Sequence, residues 1–80
     1  MNSQTATRAS ETDPLHHTAR IKEMLTGVIN HAREDIHKVA DPQARAIFEM
    51  TAEVLEGVRR TYEHYESGRE RAFANVGRQY

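Results

Sequence analysis

Apolar residues recur at helical spacing along two stretches of the chain. Between residues 14 and 39 they fall three or four positions apart, and the same spacing returns between residues 42 and 66. This period places the apolar side chains along one side of an α-helix, so we predict two amphipathic helices of nearly equal length. Their apolar stripes are Leu15, Ile21, Leu25, Val28, Ile29, Ala32, Ile36 and Val39 in the first, and Ala44, Ile47, Phe48, Val54, Leu55, Val58, Tyr62 and Tyr65 in the second, with Thr51 among them.

The dipeptide Asp-Pro occurs twice and marks the start of each helix. Asp13-Pro14 precedes the first helix and Asp41-Pro42 precedes the second. An aspartate carboxylate accepts a hydrogen bond from a free amide of the first turn, and proline suits the first helical position because its missing amide is not needed there. Since only two or three residues separate the predicted helices, they should pack antiparallel as an all-α hairpin.

The two ends of the chain differ in composition from the helices. Residues 1–12 are rich in Ser and Thr and lack large apolar residues after Met1, so we expect a disordered tail. Ser67-Gly68 should stop the second helix, because glycine readily adopts the left-handed conformation that often follows a helix. The predicted organisation is a tail at 1–12, a hairpin at 13–67 and a basic tail at 68–80. The basic tail could include one short turn that docks on the hairpin.

The two flanks of the predicted hairpin have different chemistry. One carries small, thioether or neutral polar residues, whereas the other carries mostly charged ones. Two helices seldom bury enough surface for a closed core, and a chain without cysteine has no disulfides to compensate. We therefore expect a second copy to pack on the first flank, giving a homodimeric four-helix bundle or a higher homo-oligomer. The alternative is a monomer in which the glycines are merely tolerated. The predicted interface residues are Met24, Ala46, Met50, Gly57 and Thr61.

The composition narrows the range of functions. The chain has 80 residues, no cysteine and a formal net charge of −1 with neutral histidines. A nearly neutral chain exerts no general attraction on nucleic acids, and Glu70 interrupts the arginines of the C-terminal tail, so we do not expect nucleic-acid binding. No apolar run approaches membrane-spanning length, and the polar start lacks the apolar centre of a signal peptide. We expect a cytoplasmic protein with no membrane partner.

One pair of residues has the spacing of a helical metal site but the wrong orientation. Glu34 and His37 are three positions apart, as are the ligands of metal-binding helical bundles. A metal site in a bundle requires both side chains to point inward. Both residues lie away from the apolar stripe, so we expect them to face water and do not assign them to a site.

A second group of polar residues lies on the flank where a second copy is expected. His31 and Asp35 are four positions apart and therefore adjacent on the helix surface, while His17 and His64 fall near the open end of the hairpin. A two-fold axis through the middle of this flank would bring His17 and His64 of one chain to His31 and Asp35 of the other. Imidazole and carboxylate groups are ligands for zinc or another divalent metal. The alternatives are a structural hydrogen-bonded cluster and a pH sensor.

No arrangement of nucleophile, base or phosphate-binding loop is present, so we expect no enzymatic activity and no required cofactor. The sequence favours a small helical hairpin that associates with itself and acts as an interaction or structural module toward an unknown protein partner. The alternative is a metal- or small-ligand-binding bundle that uses the interchain histidine cluster. A third possibility is a regulatory protein that uses its basic tail on a partner.

Overall fold

The computed structural model describes residues 11–78, with side chains as far as Arg71. In this part of the chain two α-helices, α1 (Pro14–Ile36) and α2 (Pro42–Arg78), pack against each other, which confirms the predicted all-helical hairpin. Residues 11 and 12 are also helical, just before α1. The rest of the predicted disordered tail, residues 1–10, lies outside the described residues.

Both helices begin at the Asp-Pro pairs, as predicted. The carboxylate of Asp13 accepts a hydrogen bond from the Leu15 amide at 3.1 Å, and Asp13 itself has an extended backbone. The carboxylate of Asp41 accepts one from the Gln43 amide at 3.3 Å. Each aspartate thus satisfies an amide of the first turn that has no partner within the helix.

The first helix ends at Ile36, three residues before the predicted end at Val39. The amides of His37 and Lys38 bond to the carbonyls of Glu34 and Asp35 at 3.1 and 3.0 Å, which is the tighter spacing of a closing turn. The loop therefore spans residues 37–41 rather than two or three residues. Helices packed side by side lie about 8–10 Å apart, and the chain uses these residues to cross that distance.

The second helix does not stop at Glu66, so the predicted end at Ser67-Gly68 is wrong. Helix α2 continues to Arg78, and no described glycine has a positive φ angle. Glycine inside a helix costs only about 1 kcal/mol relative to alanine, and the arginines and glutamate that follow are good helix formers. The predicted basic tail at 68–80 is helical up to residue 78. The predicted docked turn involves side chains beyond those described.

Three interhelix contacts establish the antiparallel register. Thr18 Oγ1 donates to Glu66 Oε2 at 2.6 Å, and Arg59 Nη1 donates to Thr26 Oγ1 at 2.9 Å. Nearer the loop, Arg33 Nη2 lies 2.6 Å from a carboxylate oxygen of Glu56. Residues later in α1 therefore contact residues earlier in α2.

The residues that face the other helix recur in alternating steps of three and four, the spacing of a coiled coil. We call these residues the inner face, and all of them are buried or half-buried: Leu15, Thr18, Lys22, Leu25, Ile29, Ala32 and Ile36 in α1, and Phe48, Ala52, Leu55, Arg59, Tyr62 and Glu66 in α2.

Full burial among the described residues is confined to Ile29, Ala32 and Ala52, with Phe48 and Leu55 packed beside them. The core inside one hairpin is therefore small and lies in the half nearer the loop.

The inner face is narrower than the apolar stripes expected from the sequence. Val28, Val54 and Val58, all placed in the core stripes, are exposed, whereas the charged residues Lys22 and Arg59 are half-buried. A single neighbouring helix covers only a strip of each helix surface, so the remaining apolar positions have no cover within the hairpin.

Candidate interaction face

Seven large apolar side chains are exposed on the described part of the hairpin. Their exposed fractions run from 39% for Val58 to 63% for Met50, values typical of surface residues rather than of a core. Large contiguous apolar patches are uncommon on soluble monomers, and they mark interaction sites. We call this set the apolar face: Met24, Val28, Ile47, Met50, Val54, Val58 and Tyr65.

Both helices contribute to the apolar face from the same side of the hairpin. A concavity near the open end is lined by His17 and Thr18 of α1 together with Thr61 and Tyr65 of α2. His17 shares one surface of α1 with Met24, since seven residues make about two helical turns. Tyr65 is related to Val58 in the same way. The two contributions therefore lie on the same side of the hairpin.

The opposite side of the hairpin is polar. Another concavity there is lined mainly by charged residues, among them Arg20, Glu23, Arg59 and Glu63. The Arg33–Glu56 ion pair lies on the same side. The hairpin is therefore strongly two-sided, with one side suited to water and the other suited to a partner.

A polar cluster joins the two helices at the open end. Glu66 accepts a hydrogen bond from Thr18 at 2.6 Å and pairs with Lys22 Nζ at 2.7 Å. The hydrogen bond from Lys22, followed by that from Thr18, holds the pKa of Glu66 below its usual value, against a smaller opposing effect of desolvation. The carboxylate therefore stays ionised and ties α2 to α1 where the apolar core is absent.

Arg59 lies in the middle of the inner face and is incompletely satisfied. One of its terminal nitrogens donates to Thr26, but its buried Nε has no hydrogen-bond partner among the described residues. An unsatisfied buried donor costs about 1–3 kcal/mol. This unsatisfied donor lowers the stability that the inner face provides.

The structure places the predicted interface residues in different surroundings. Met24 and Met50 are exposed parts of the apolar face, and Thr61 lines the concavity beside Tyr65. A Cβ added at Gly57 would meet nothing within 4 Å, so no contact inside the hairpin requires glycine there. Ala46 lines a shallow concavity with Arg45 and Glu49, nearer the polar side.

Sequence reasoning missed most of the apolar face because it assigned those positions to the core. Val28, Ile47, Val54, Val58 and Tyr65 were all expected to pack between the two helices. A stripe wider than one neighbour can cover is the signal that could have identified them, since a helix in a four-helix bundle buries a broader arc than a helix in a two-stranded coil.

The predicted metal ligands are partly brought together. His31 Nε2 lies 3.1 Å from Asp35 Oδ2, and His31 is 72% exposed, while Lys38 Nζ lies 3.6 Å from the other oxygen of Asp35. His17 Nε2 lies 2.6 Å from the Glu11 carbonyl oxygen, at the far end of α1. Within residues 11–71, no three potential ligands of one chain are close enough to hold a metal ion. The predicted interchain site remains a prediction.

His64 lies apart from this group. It is exposed and follows Arg60 by one helical turn, on a surface of α2 that turns away from Tyr65. It does not line the concavity that His17 shares with Thr61.

No protein-family model matches the chain, and no curated protein or solved structure shows significant similarity to it. In the described part, neither helix has a stretch that is long and apolar enough to cross a membrane.

Proposed function

We propose that the protein is a non-enzymatic interaction or structural module that works as a homodimer. In this dimer, two hairpins pack with their apolar faces together and form a four-helix bundle. The observation that supports this proposal is the contrast between the seven exposed large apolar residues and the three fully buried residues of the described chain. Full burial of a side chain such as Met or Val stabilises by about 1.5–3 kcal/mol, so covering the apolar face would add to the stability of the single hairpin.

The lengths of the helices favour a second copy as the occupant of the apolar face. Helix α1 has 23 residues and α2 has 37, so α2 extends well beyond the start of α1. If α1 packs on α1 and α2 on α2 of the second copy, each helix lies against one of equal length. If α1 packs on α2 instead, the overhanging part of α2 has no facing helix.

A single level along the hairpin can serve as the position of the two-fold axis. The middle residue of Pro14–Ile36 is Leu25 and that of Pro42–Arg78 is Arg60. The hydrogen bond between Thr26 and Arg59 places these two midpoints side by side. A perpendicular two-fold axis at this level pairs both helices along their whole length, with the two loops at opposite ends of the bundle.

The mass of the full chain in solution tests this proposal. Analytical ultracentrifugation should give twice the monomer mass at micromolar concentration. Met50→Glu introduces a charge into the apolar face and should weaken the dimer at least about 100-fold, or about 2.7 kcal/mol. Ser67→Glu is the matched control, because it adds the same charge to an exposed position of α2 outside the apolar face.

Two results would contradict the proposal. A folded monomer at every accessible concentration would show that the face is not covered by a second copy, and would leave a different protein with an apolar helix as its occupant. Equal dissociation by Met50→Glu and Ser67→Glu would show that a dimer forms through another surface. Circular dichroism of both variants checks that the helices remain intact.

A further inference from the structure

We infer that a divalent transition metal ion bridges the two subunits at each end of the α1–α1 contact. The ligands are His31 and Asp35 of one chain and His17 of the other, and the chemical class is that of zinc. The inference rests on the proposed dimer, and it assigns a second role to the same face. It follows from the spacing of these residues, their exposure and their symmetry.

The residues of α1 on this side recur in alternating steps of four and three. Three apolar residues occupy the middle of the row, and potential metal ligands occupy both ends. The complete row is His17, Ile21, Met24, Val28, His31 and Asp35. Such spacing keeps all six on one strip of the helix, so a helix that covers Met24 and Val28 also approaches the two ends.

The row is symmetric about the level of Thr26. An antiparallel copy of α1 related by a two-fold axis at that level places Met24 against Val28 of the second chain. The same operation brings His17 to the level of Asp35, with His31 one turn away. The helix midpoints, Leu25 and Arg60, lie within one residue of Thr26 and Arg59, so helix packing and ligand symmetry give nearly the same axis.

The His31–Asp35 pair is already arranged as half of a site. The 3.1 Å separation of Nε2 and Oδ2 allows one ion to contact both atoms after a small rotation, since zinc binds imidazole nitrogen and carboxylate oxygen at about 2.0–2.2 Å. His31 is largely exposed in the single hairpin, so its ring is accessible. Two imidazoles and one carboxylate leave the fourth tetrahedral position for water.

One chain alone cannot complete the site. His17 and His31 are separated by fourteen residues of continuous helix, or about 21 Å along its axis. To bind the metal, His17 must also break its 2.6 Å contact with the Glu11 carbonyl. Binding therefore requires a second copy, and a bound metal in turn stabilises the dimer by mass action.

The experiment compares dimerisation of the full chain with and without metal. Protein stripped with a chelator is titrated with zinc chloride, and native mass spectrometry counts the bound ions. We expect two zinc ions per dimer and a dimer dissociation constant at least tenfold lower in zinc. Magnesium is the negative control, because it prefers oxygen ligands in octahedral geometry.

Two variants test the ligands, and a third is the control. His17→Ala and His31→Ala should each remove zinc binding and its effect on the dimer while leaving the metal-free dimer in place. His37→Ala is the matched control, since His37 is an exposed histidine beyond the end of α1 and outside this row. Circular dichroism confirms that each variant remains helical.

The possible outcomes separate the two proposals. A dimer that binds no zinc would overturn the metal site and leave the homodimer standing. Zinc binding that survives His17→Ala would also overturn it, because the site would then lie within one chain. A monomer both with and without zinc would overturn the dimer and the metal site together.

Discussion

Ile29 is the residue on which the small core of the hairpin depends. It is 1% exposed, and its neighbours in the core, Ala32 and Ala52, are too small to fill the space that a shorter side chain would leave. Ile29→Ala should lower the free energy of unfolding by about 3 kcal/mol, within the range of about 2–5 kcal/mol for such truncations in cores. The loss falls in the lower half of that range because Phe48 and Leu55 are only partly buried and can move inward.

This loss is large relative to the whole stability of the protein. At about 0.05–0.15 kcal/mol per residue, a chain of this size has roughly 4–12 kcal/mol in total. Ile29→Val removes one carbon and should cost about 1 kcal/mol. Asn30→Ala is the matched control on the exposed side of the same helix, and it should change stability by less than about 0.5 kcal/mol.

Urea denaturation followed by circular dichroism measures these differences at one fixed protein concentration, because unfolding of a dimer depends on concentration. A loss below about 1 kcal/mol for Ile29→Ala would refute the reasoning. It would mean that the contact between α1 and α2 does not hold the hairpin together at this point.

Three further predictions concern α2. Gly68→Ala should raise the unfolding free energy by up to about 1 kcal/mol, because the added Cβ meets open space and the helix continues through this position. A loss of stability in the same denaturation experiment would instead indicate a left-handed cap at residue 68. The pKa of Glu66 is held below its usual 4.5, so its stabilising effect is complete above that value and is lost as the pH falls through the lowered pKa. Between pH 7 and 3, the melting temperature of Glu66→Gln should therefore fall less than that of the native protein. An equal fall in both proteins would contradict this account. Thr61→Cys should form an interchain disulfide on mild oxidation, because position 61 lies near the proposed axis and the native chain has no cysteine. Ile47→Cys, far from that axis, is the matched control and should remain monomeric on non-reducing electrophoresis.

The sequence was sufficient to predict the hairpin because its signals are local. Asp13 and Asp41 each act on amides two residues away, and the spacing of apolar residues reflects the geometry of a single helix. The end of α2 was harder to predict. Gly68 is compatible both with a stop and with a continuing helix, and the residues around it decide between the two.

The division of apolar residues between core and surface could not be predicted from periodicity alone. Val28 and Ile29 are adjacent in the stripe, yet one is about half exposed and the other is fully buried. The difference depends on how far one neighbouring helix reaches around α1. The same limit applies to the candidate site, since His31 and Asp35 meet through local helix geometry, whereas a contact with His17 requires a second chain.

The uneven distribution of contacts along the hairpin has a consequence for the order in which it folds. The apolar cluster around Ala32 and Ala52 lies in the half nearer the loop, whereas the Thr18–Glu66 contact joins residues 48 positions apart. Closing a short segment of chain costs less entropy than closing a long one. Folding should therefore nucleate beside the loop and proceed toward the termini, and amide hydrogens near Thr18 and Glu66 should exchange with solvent before those near Ala32 and Ala52.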